Sequence, residues 1–195
     1  MPNRTLFLVR HATHAEVGRV MSGRSEIALD ARGRDEATAL AAGLSGVALD
    51  AIHASPRRRA QETAAAVAGG RGLAVLTAAA LDEIDFGAFT GRPFEMLDGD
   101  ADWRRWNAER GTARCPGGET MGEATARAWR FVAALPAGRT LCVSHCDVIR
   151  GLVCDVLGLG YERMFQLGCD PASVTELAFD GDDVRLVGLN RRYAG

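Results

Sequence analysis

The sequence lacks an excess of charge of either sign. Its 195 residues include 23 Lys and Arg and 25 Asp and Glu, which gives a formal net charge of -2. Proteins that bind long nucleic acids usually carry a basic surplus that neutralises the backbone phosphates. The balanced charge therefore argues against a nucleic-acid partner.

Long apolar runs and closely paired cysteines are also missing. The apolar run at residues 6–9 is four residues long and is followed at once by Arg10 and His11, so it is too short for a signal sequence or a membrane span. The five cysteines form no CxxC pair, and a chain of this size needs no disulfides for stability. We expect a cytoplasmic protein with reduced thiols and no membrane partner.

No repeat, low-complexity tract or long Pro/Gly/Ser linker divides the chain, so residues 1–195 are predicted to form one domain. Three short β-like runs, Thr5–Val9, Ala51–Ala54 and Thr140–Val143, each lead towards a helix. Two later runs, Val174–Phe179 and Val184–Leu189, flank a Gly-Asp-Asp turn and predict an edge hairpin. The pattern predicts an α/β fold, a three-layer α/β/α sandwich with a mostly parallel sheet.

Polar residues follow the predicted parallel strands. Arg10 and His11 follow the first, Ser55 and residues 56–59 follow the second, and Ser144 and His145 follow the third. Ser55 is predicted to cap a helix whose first residue is Pro56. Ligands of open α/β sheets bind at the carboxyl ends of the strands. Arginines and imidazoles gathered there suit a phosphoryl group.

This composition also suggests a reaction. A neutral imidazole can attack phosphorus to give a phosphohistidine, and a carboxylic acid can protonate the leaving oxygen. Asp82, Glu83 and Asp85 are the candidate acids. We expect the arginines alone to keep this carboxyl ionised, and the arriving phosphate dianion to raise its pKa.

Seven segments, in order along nearly the whole chain, resemble motifs of the histidine phosphatase superfamily, which is also called phosphoglycerate mutase-like. They are Leu8–Thr13 with its Arg-His pair, Ser22-Gly23, Ala28–Gly33, Ser55–Ala64, Leu81–Gly91, Pro116–Thr120 and Val143–Arg150. No single segment is specific for this family, but the occurrence of all seven in the family's order is. The resemblance implies the α/β/α fold of that family and a phosphoryl-transfer activity.

The resemblance also implies a role for individual residues. His11 would be the nucleophile, Glu83 the proton donor, and Arg10, Arg59 and His145 would bind and stabilise the phosphoryl group. The implied substrate-binding set is Arg10, Ser22, Gly23, Arg59, His145 and Cys146. No metal and no organic cofactor are implied.

Two positions depart from the family pattern. Ala12 and Cys146 both stand where the family commonly has glycine. A methyl group at position 12 would be costly if φ there were positive. The Cys146 side chain would narrow the pocket or make it sensitive to oxidation.

Other readings of these residues remain open. Arg57 and Arg58 are predicted to lie in a solvated first turn, and His53 in the core, while His14 stands between a pocket-edge role and none. Trp103 and Trp106 belong either to the core or to a substrate pocket. A zinc site built from His11, His14, Cys142, His145 and Cys146 is disfavoured, because neighbouring arginines would repel a cation.

The favoured function is a histidine acid-type phosphatase that works without a metal and hydrolyses a small phosphorylated metabolite through phosphohistidine on His11. About thirty residues separate the acid motif from Pro116, fewer than a cofactor-dependent mutase of this family typically has, so hydrolysis is preferred to mutase chemistry. The acid segment resembles that of α-ribazole phosphatases. The alternatives are a phosphoglycerate mutase-type transfer and a non-catalytic phosphate-binding module. The protein is expected to be a monomer or a homodimer.

Overall fold

A computed structural model describes residues 4–193 and places six strands in one sheet. The strands are β1 (Arg4–Arg10), β2 (Ala51–Ala54), β3 (Val75–Thr77), β4 (Gly138–Ser144), β5 (Val174–Asp180) and β6 (Asp183–Arg191). They lie in the order β3-β2-β4-β1-β5-β6. The first four in this order pair in parallel, whereas β5 is antiparallel to both β1 and β6. The prediction of a mostly parallel sheet with an edge hairpin is confirmed.

Six helices accompany the sheet in the described part of the chain. They are α1 (Ala31–Gly43), α2 (Arg58–Ala68), α3 (Phe94–Leu97), α4 (Ala101–Ala108), α5 (Met121–Ala133) and α6 (Cys146–Leu157). Thr120 and Glu123 form a reciprocal capping box at the start of α5, and Gly158 ends α6 in the left-handed conformation. None of the helices within residues 4–193 combines the length and apolar character needed to cross a membrane.

The sheet separates two apolar layers because side chains alternate along β1. Leu6 and Leu8 pack with α5 and α6, whereas Phe7 and Val9 pack with α1 and α2 on the opposite face. Each of these four side chains is at most 4% exposed, and burial of such a side chain stabilises the fold by about 1.5–3 kcal/mol. The α/β/α layering is thus confirmed, and the extent of the domain over residues 1–195 stays a prediction.

The predicted start of α2 is wrong by two residues. The helix begins at Arg58 rather than Pro56, and its N-cap residue, Arg57, forms no side-chain capping bond. The Ser55 hydroxyl still accepts a hydrogen bond from the Arg57 N–H at 3.3 Å, and it also bonds to the His145 ring at 2.7 Å and to Asp82 at 3.2 Å. Ser55 therefore forms a turn that precedes the helix and joins a tertiary hydrogen-bond network.

Candidate active site

The carboxyl ends of β1, β2 and β4 meet at one edge of the sheet. Arg10 pairs in register with Ser144, and Ala54 pairs with Val143, so the residues that follow these strands are brought together. A cavity of about 370 Å³ opens at this edge. Seven of the predicted site residues line it: Arg10, His11, Ser22, Gly23, Arg59, Glu83 and Cys146.

His11 lies at the base of the cavity and is 4% exposed. Its Nδ1 lies 2.9 Å from the Ala12 carbonyl oxygen. A carbonyl only accepts hydrogen bonds, so Nδ1 carries the proton and Nε2 keeps a free lone pair. Burial, together with the positive charges of Arg59 and Arg10, holds the pKa of His11 well below its ordinary value. The ring is therefore neutral at physiological pH.

Two guanidinium groups are fixed by backbone carbonyls beside this ring. Arg10 donates from Nη1 to Cys169 at 2.6 Å. Arg59 donates from Nη1 to Ser25 at 2.9 Å and from Nη2 to Gly23 at 2.6 Å. The Nε–H groups of Arg10 and Arg59 are buried and have no hydrogen-bond partner within the described residues. Both residues line the cavity, and the positive charge of their guanidinium groups would attract an anion there.

His145 is completely buried and lies behind Arg59 rather than in the cavity wall. Its Nδ1 accepts from Arg59 at 3.1 Å, and its Nε2–H donates to the Ser55 hydroxyl at 2.7 Å. Its ring centre is 5.2 Å from that of His11. Burial and the Arg59 charge hold the pKa of His145 well below its ordinary value. His145 thus positions Arg59 in this structure, and its predicted direct contact with a phosphoryl group stays a prediction.

Only one of the three candidate acids lines the cavity, and that is Glu83. Burial, reinforced by the nearby charge of Asp147, raises the pKa of Glu83 to about 8. The expectation that arginines alone would keep this carboxyl ionised is therefore wrong, because desolvation outweighs the charge of Arg59. Asp82 lies 3.1 Å from Arg57, and Asp85 pairs with Arg24 at 3.3 Å, so both carboxylates are held in ion pairs.

Ser22 and Gly23 form part of the cavity wall. Gly23 has φ +48°, and a Cβ atom there would lie 2.7 Å from Thr90 Oγ1, so glycine is required on both grounds. Ser22 lines the cavity but donates its hydroxyl to Glu16 at 2.8 Å. Ala12 has no positive φ, so the methyl group that replaces the usual glycine causes no backbone strain.

The outer wall of the cavity combines aromatic and charged side chains. Its lining residues beyond the catalytic edge include Phe86, Phe94, Trp103, Asn107, Arg110, Asp147, Arg150, Phe165 and Asp170. Trp103 lines the cavity whereas Trp106 is fully buried in the core, which answers the open question about this pair. Arg110 pairs with Asp147 at 3.1 Å, and its guanidinium lies 4.5 Å from the centre of the Phe165 ring.

Comparison with known proteins identifies this arrangement. The sequence pattern of the histidine phosphatase superfamily (branch 1) matches residues 6–192. The chain belongs to the histidine phosphatase superfamily. Phosphoserine phosphatase 1 of Hydrogenobacter thermophilus is 33% identical over 176 residues, which cover 86% of this chain and 83% of that protein. The adenosylcobalamin/alpha-ribazole phosphatase of Escherichia coli K12 is 30% identical over 197 residues and 97% of both chains.

A solved structure extends the agreement to three dimensions. The mycobacterial glucosyl-3-phosphoglycerate phosphatase superposes with a TM-score of 0.84 at 29% identity, covering 96% of this chain and 98% of that one. The predicted family and fold are thereby confirmed. Relatives of similar length and fold are phosphatases, so the family match supports a phosphatase activity for this chain.

Several residues that shape the site were not found by sequence reasoning. Arg24 and Arg127 both donate to the Glu83 carbonyl, at 3.0 and 2.9 Å, and Glu119 accepts from both guanidinium groups. Glu119 was visible only as part of the Pro116–Thr120 motif. Arg24 and Arg127 lie 59 and 44 positions from Glu83 in the sequence, and nothing local links them to it. They hold the backbone of Glu83, the candidate acid, through its carbonyl oxygen.

The remaining basic and imidazole residues divide between the cavity and its surroundings. Arg58 is 63% exposed, as predicted, but Arg57 is only 21% exposed and bonds to Glu26 at 2.6 Å, so the expectation of a solvated Arg57 is wrong. His14 lines the cavity, and burial lowers its pKa to about 4. His53 is half-buried against Phe131, outside the cavity.

The positions of the candidate ligands test the alternative of a zinc site. Within residues 4–193, no group of three or more His, Cys, Asp or Glu side chains is arranged to hold a metal ion. Cys142 is buried in the middle of β4, whereas His11 and His14 face two guanidinium groups across the cavity. The reaction's independence of metal stays a prediction.

Proposed function

We propose that this protein hydrolyses a small phosphomonoester in two steps, with a phosphohistidine on His11 as the intermediate. The observation that carries the proposal is the His11 ring facing a cavity that it shares with Glu83, whose pKa is raised to about 8, and with the guanidinium groups of Arg10 and Arg59. A nucleophile, an acid and stabilising cations are the three functions that this reaction needs.

In the first step, His11 Nε2 attacks phosphorus and the bond to the leaving oxygen breaks. The Glu83 carboxyl gives its proton to that oxygen, and the alcohol departs. The guanidinium groups of Arg10 and Arg59 bind the phosphoryl oxygens and stabilise the charge in the transition state. His145 keeps Arg59 in place through the contact at 3.1 Å.

In the second step, a water molecule attacks phosphorus and the N–P bond breaks. The Glu83 carboxylate accepts the proton of this water, so the carboxyl regains its starting form. Inorganic phosphate then leaves, and His11 is again neutral. Each group is thus restored in one turnover, and neither a metal nor an organic cofactor takes part.

The aromatic and charged outer wall is proposed to bind the leaving group. Phe94 and Trp103 offer apolar ring surfaces, and the Arg110–Asp147 pair offers both signs of charge. This mixture suits a small metabolite with polar groups rather than a long polyanion. A metal-free screen of phosphorylated metabolites, including O-phosphoserine, alpha-ribazole phosphate and glucosyl-3-phosphoglycerate, is the direct test of substrate class.

Replacement of the nucleophile tests the mechanism. His11→Ala is expected to abolish both turnover and the acid-labile phosphoenzyme trapped by rapid quenching. His53→Asn is the matched control, because His53 lies outside the cavity, and it should retain both signals. Vanadate, a mimic of pentacoordinate phosphorus, is expected to inhibit. A fully labelled phosphoenzyme in His11→Ala would remove His11 from this role.

The two rival functions have distinct outcomes in the same assays. A mutase would interconvert phosphoglycerates when stimulated by a bisphosphate and would release little inorganic phosphate. A non-catalytic binding module would bind phosphate or vanadate but would turn over none of the panel. We expect phosphate release to exceed transfer, because the cavity is open to water and the helices α3 and α4 on its outer side are only four and eight residues long.

A further inference from the structure

Two of the five cysteines line the candidate active site, Cys146 and Cys169. Cys146 is the first residue of α6 and directly follows His145, whereas Cys169 lies in the irregular segment between residue 166 and β5. The Cys146 Sγ lies 3.8 Å from the Cys169 carbonyl oxygen and donates to it. The two residues belong to separate elements that meet at the wall of the cavity.

The two thiols differ in acidity. The hydrogen bond with Cys169 lowers the Cys146 pKa, and the charges of Arg10 and Arg150 act in the same direction against burial. The same contact, together with burial, holds the pKa of Cys169 well above its ordinary value. Cys146 is also the one partly exposed cysteine, and all five lie within the described residues. Cys146 is thus the more acidic and the more accessible of the two thiols, with Cys169 beside it.

The other three cysteines have no such arrangement. Cys115, Cys142 and Cys154 are fully buried. Burial raises the pKa of Cys115 to about 12 and also raises the pKa values of Cys142 and Cys154. These three are therefore inert towards mild oxidants and provide internal controls.

We propose that Cys146 is a site of oxidation by peroxides and that Cys169 is its resolving thiol, so that oxidation closes a disulfide in the cavity wall. The Cys146 thiolate attacks a peroxide oxygen, the O–O bond breaks, and a sulfenic acid and hydroxide form. The Cys169 thiol then attacks the Cys146 sulfur. The S–S bond forms, and the sulfenic oxygen leaves as water with the thiol proton.

Closure of this disulfide affects Arg10, which lines the cavity. Arg10 is held by the carbonyl of Cys169 at 2.6 Å. Formation of an S–S bond requires the sulfurs to come within about 2.05 Å, which moves the segment that carries this carbonyl. The disulfide is therefore expected to displace Arg10 and to inactivate the protein reversibly. The disulfide itself forms without any turnover, so its test does not depend on the proposed hydrolysis.

The primary experiment measures the bond directly. The reduced full-length protein is treated with about a tenfold excess of hydrogen peroxide. The intact mass is measured on one portion without alkylation, and a second portion is alkylated and digested for mass spectrometry. The expected product is about 2 Da lighter, and trypsin should release residues 140–150 cross-linked to residues 164–185. Fragmentation must assign the link to Cys146, because residues 140–150 also contain Cys142. Dithiothreitol should restore the starting mass.

Variants separate the two thiols. Cys146→Ala should abolish the cross-link, and Cys169→Ala should stop at a sulfenic acid that dimedone traps. Cys154→Ala, a buried cysteine on the same helix, should behave as the wild type. A link through Cys142, a link between two molecules, or overoxidation of Cys146 without any cross-link would each overturn the proposal.

Activity provides a second readout once a substrate is in hand. The fraction of activity lost should equal the fraction of cross-linked protein, and both should recover together on reduction. Inorganic phosphate should slow the oxidation by occupying the cavity. Full activity in fully cross-linked protein would refute the inactivation. A protein that is inert on every substrate but still forms the Cys146–Cys169 bond would contradict only the proposed function.

Discussion

Glu83→Gln is expected to make the protein more stable and less active at the same time. The carboxyl is 8% exposed, and burial raises its pKa from 4.5 to about 8. Between these two values the folded protein keeps the proton while the unfolded chain loses it. The contribution of Glu83 to stability is therefore complete below about pH 4.5 and is lost as the pH rises towards 8. A neutral glutamine of nearly the same size carries no such loss.

The size of the effect follows from the pKa shift. One pKa unit corresponds to about 1.36 kcal/mol, so the gain in unfolding free energy from Glu83→Gln grows from about 1 kcal/mol at pH 5 to about 4 kcal/mol at pH 8. The side-chain oxygen of the introduced glutamine can still accept the 2.9 Å hydrogen bond that Ile84 N–H donates to Glu83. Urea unfolding of both proteins at several pH values measures this difference.

The control and the kinetics complete the test. Glu95→Gln replaces an exposed carboxylate on α3 and should leave the pH dependence of stability unchanged. Glu83→Gln should lower kcat by about 10² to 10⁴ for an alkyl phosphate, with a smaller loss for p-nitrophenyl phosphate, whose leaving group needs little protonation. In the wild type, kcat/KM should fall as the pH rises through about 8. A stability difference that is constant with pH would refute the reasoning.

Three further substitutions test other parts of the site. Ser55→Ala leaves the buried His145 Nε2–H without its acceptor, so unfolding free energy should fall by about 1–3 kcal/mol in denaturant titrations. Arg59→Lys cannot reproduce the hydrogen bonds of the guanidinium, and kcat/KM should fall by about 100-fold or more in steady-state assays. Gly23→Ala places a methyl group at φ +48° and 2.7 Å from Thr90 Oγ1. The unfolding free energy should fall by about 1–3 kcal/mol, which lowers the thermal midpoint, and KM should rise.

The sequence predicts best those elements whose residue pattern lies within one short segment of the chain. The runs at β1 and β4 are apolar and short, and parallel pairing fixes where their carboxyl ends meet, so Arg10 and His11 could be placed beside the residues that follow β4. The start of α2 was misplaced because Ser55 and Pro56 form a turn that precedes the helix. Ser55 is a good N-cap residue, and its hydroxyl accepts from the Arg57 N–H, but it also bonds to the His145 ring.

Parts of the site depend on quantities that no local pattern contains. The protonation of Glu83 depends on how completely the chain buries it, and the sequence shows only the neighbouring charges. The clamp on its backbone joins Arg24 and Glu119, which are 95 positions apart. The orientation of His145 depends on which of its two nitrogens finds Arg59 and which finds Ser55. Each of these follows from packing between distant segments.

The distribution of ion pairs explains how a nearly neutral protein can select one phosphate. Arg24 and Arg57 lie beside the site but are paired with carboxylates, including Asp82. Within residues 4–193, Arg10 and Arg59 form no ion pair and are held by carbonyl oxygens, which orient a guanidinium without neutralising it. Burial and this positive charge together keep His11 neutral, and the charge attracts an anion. Because carboxylates neutralise the surrounding arginines, this attraction is confined to the cavity, and a long polyanion would gain little from it.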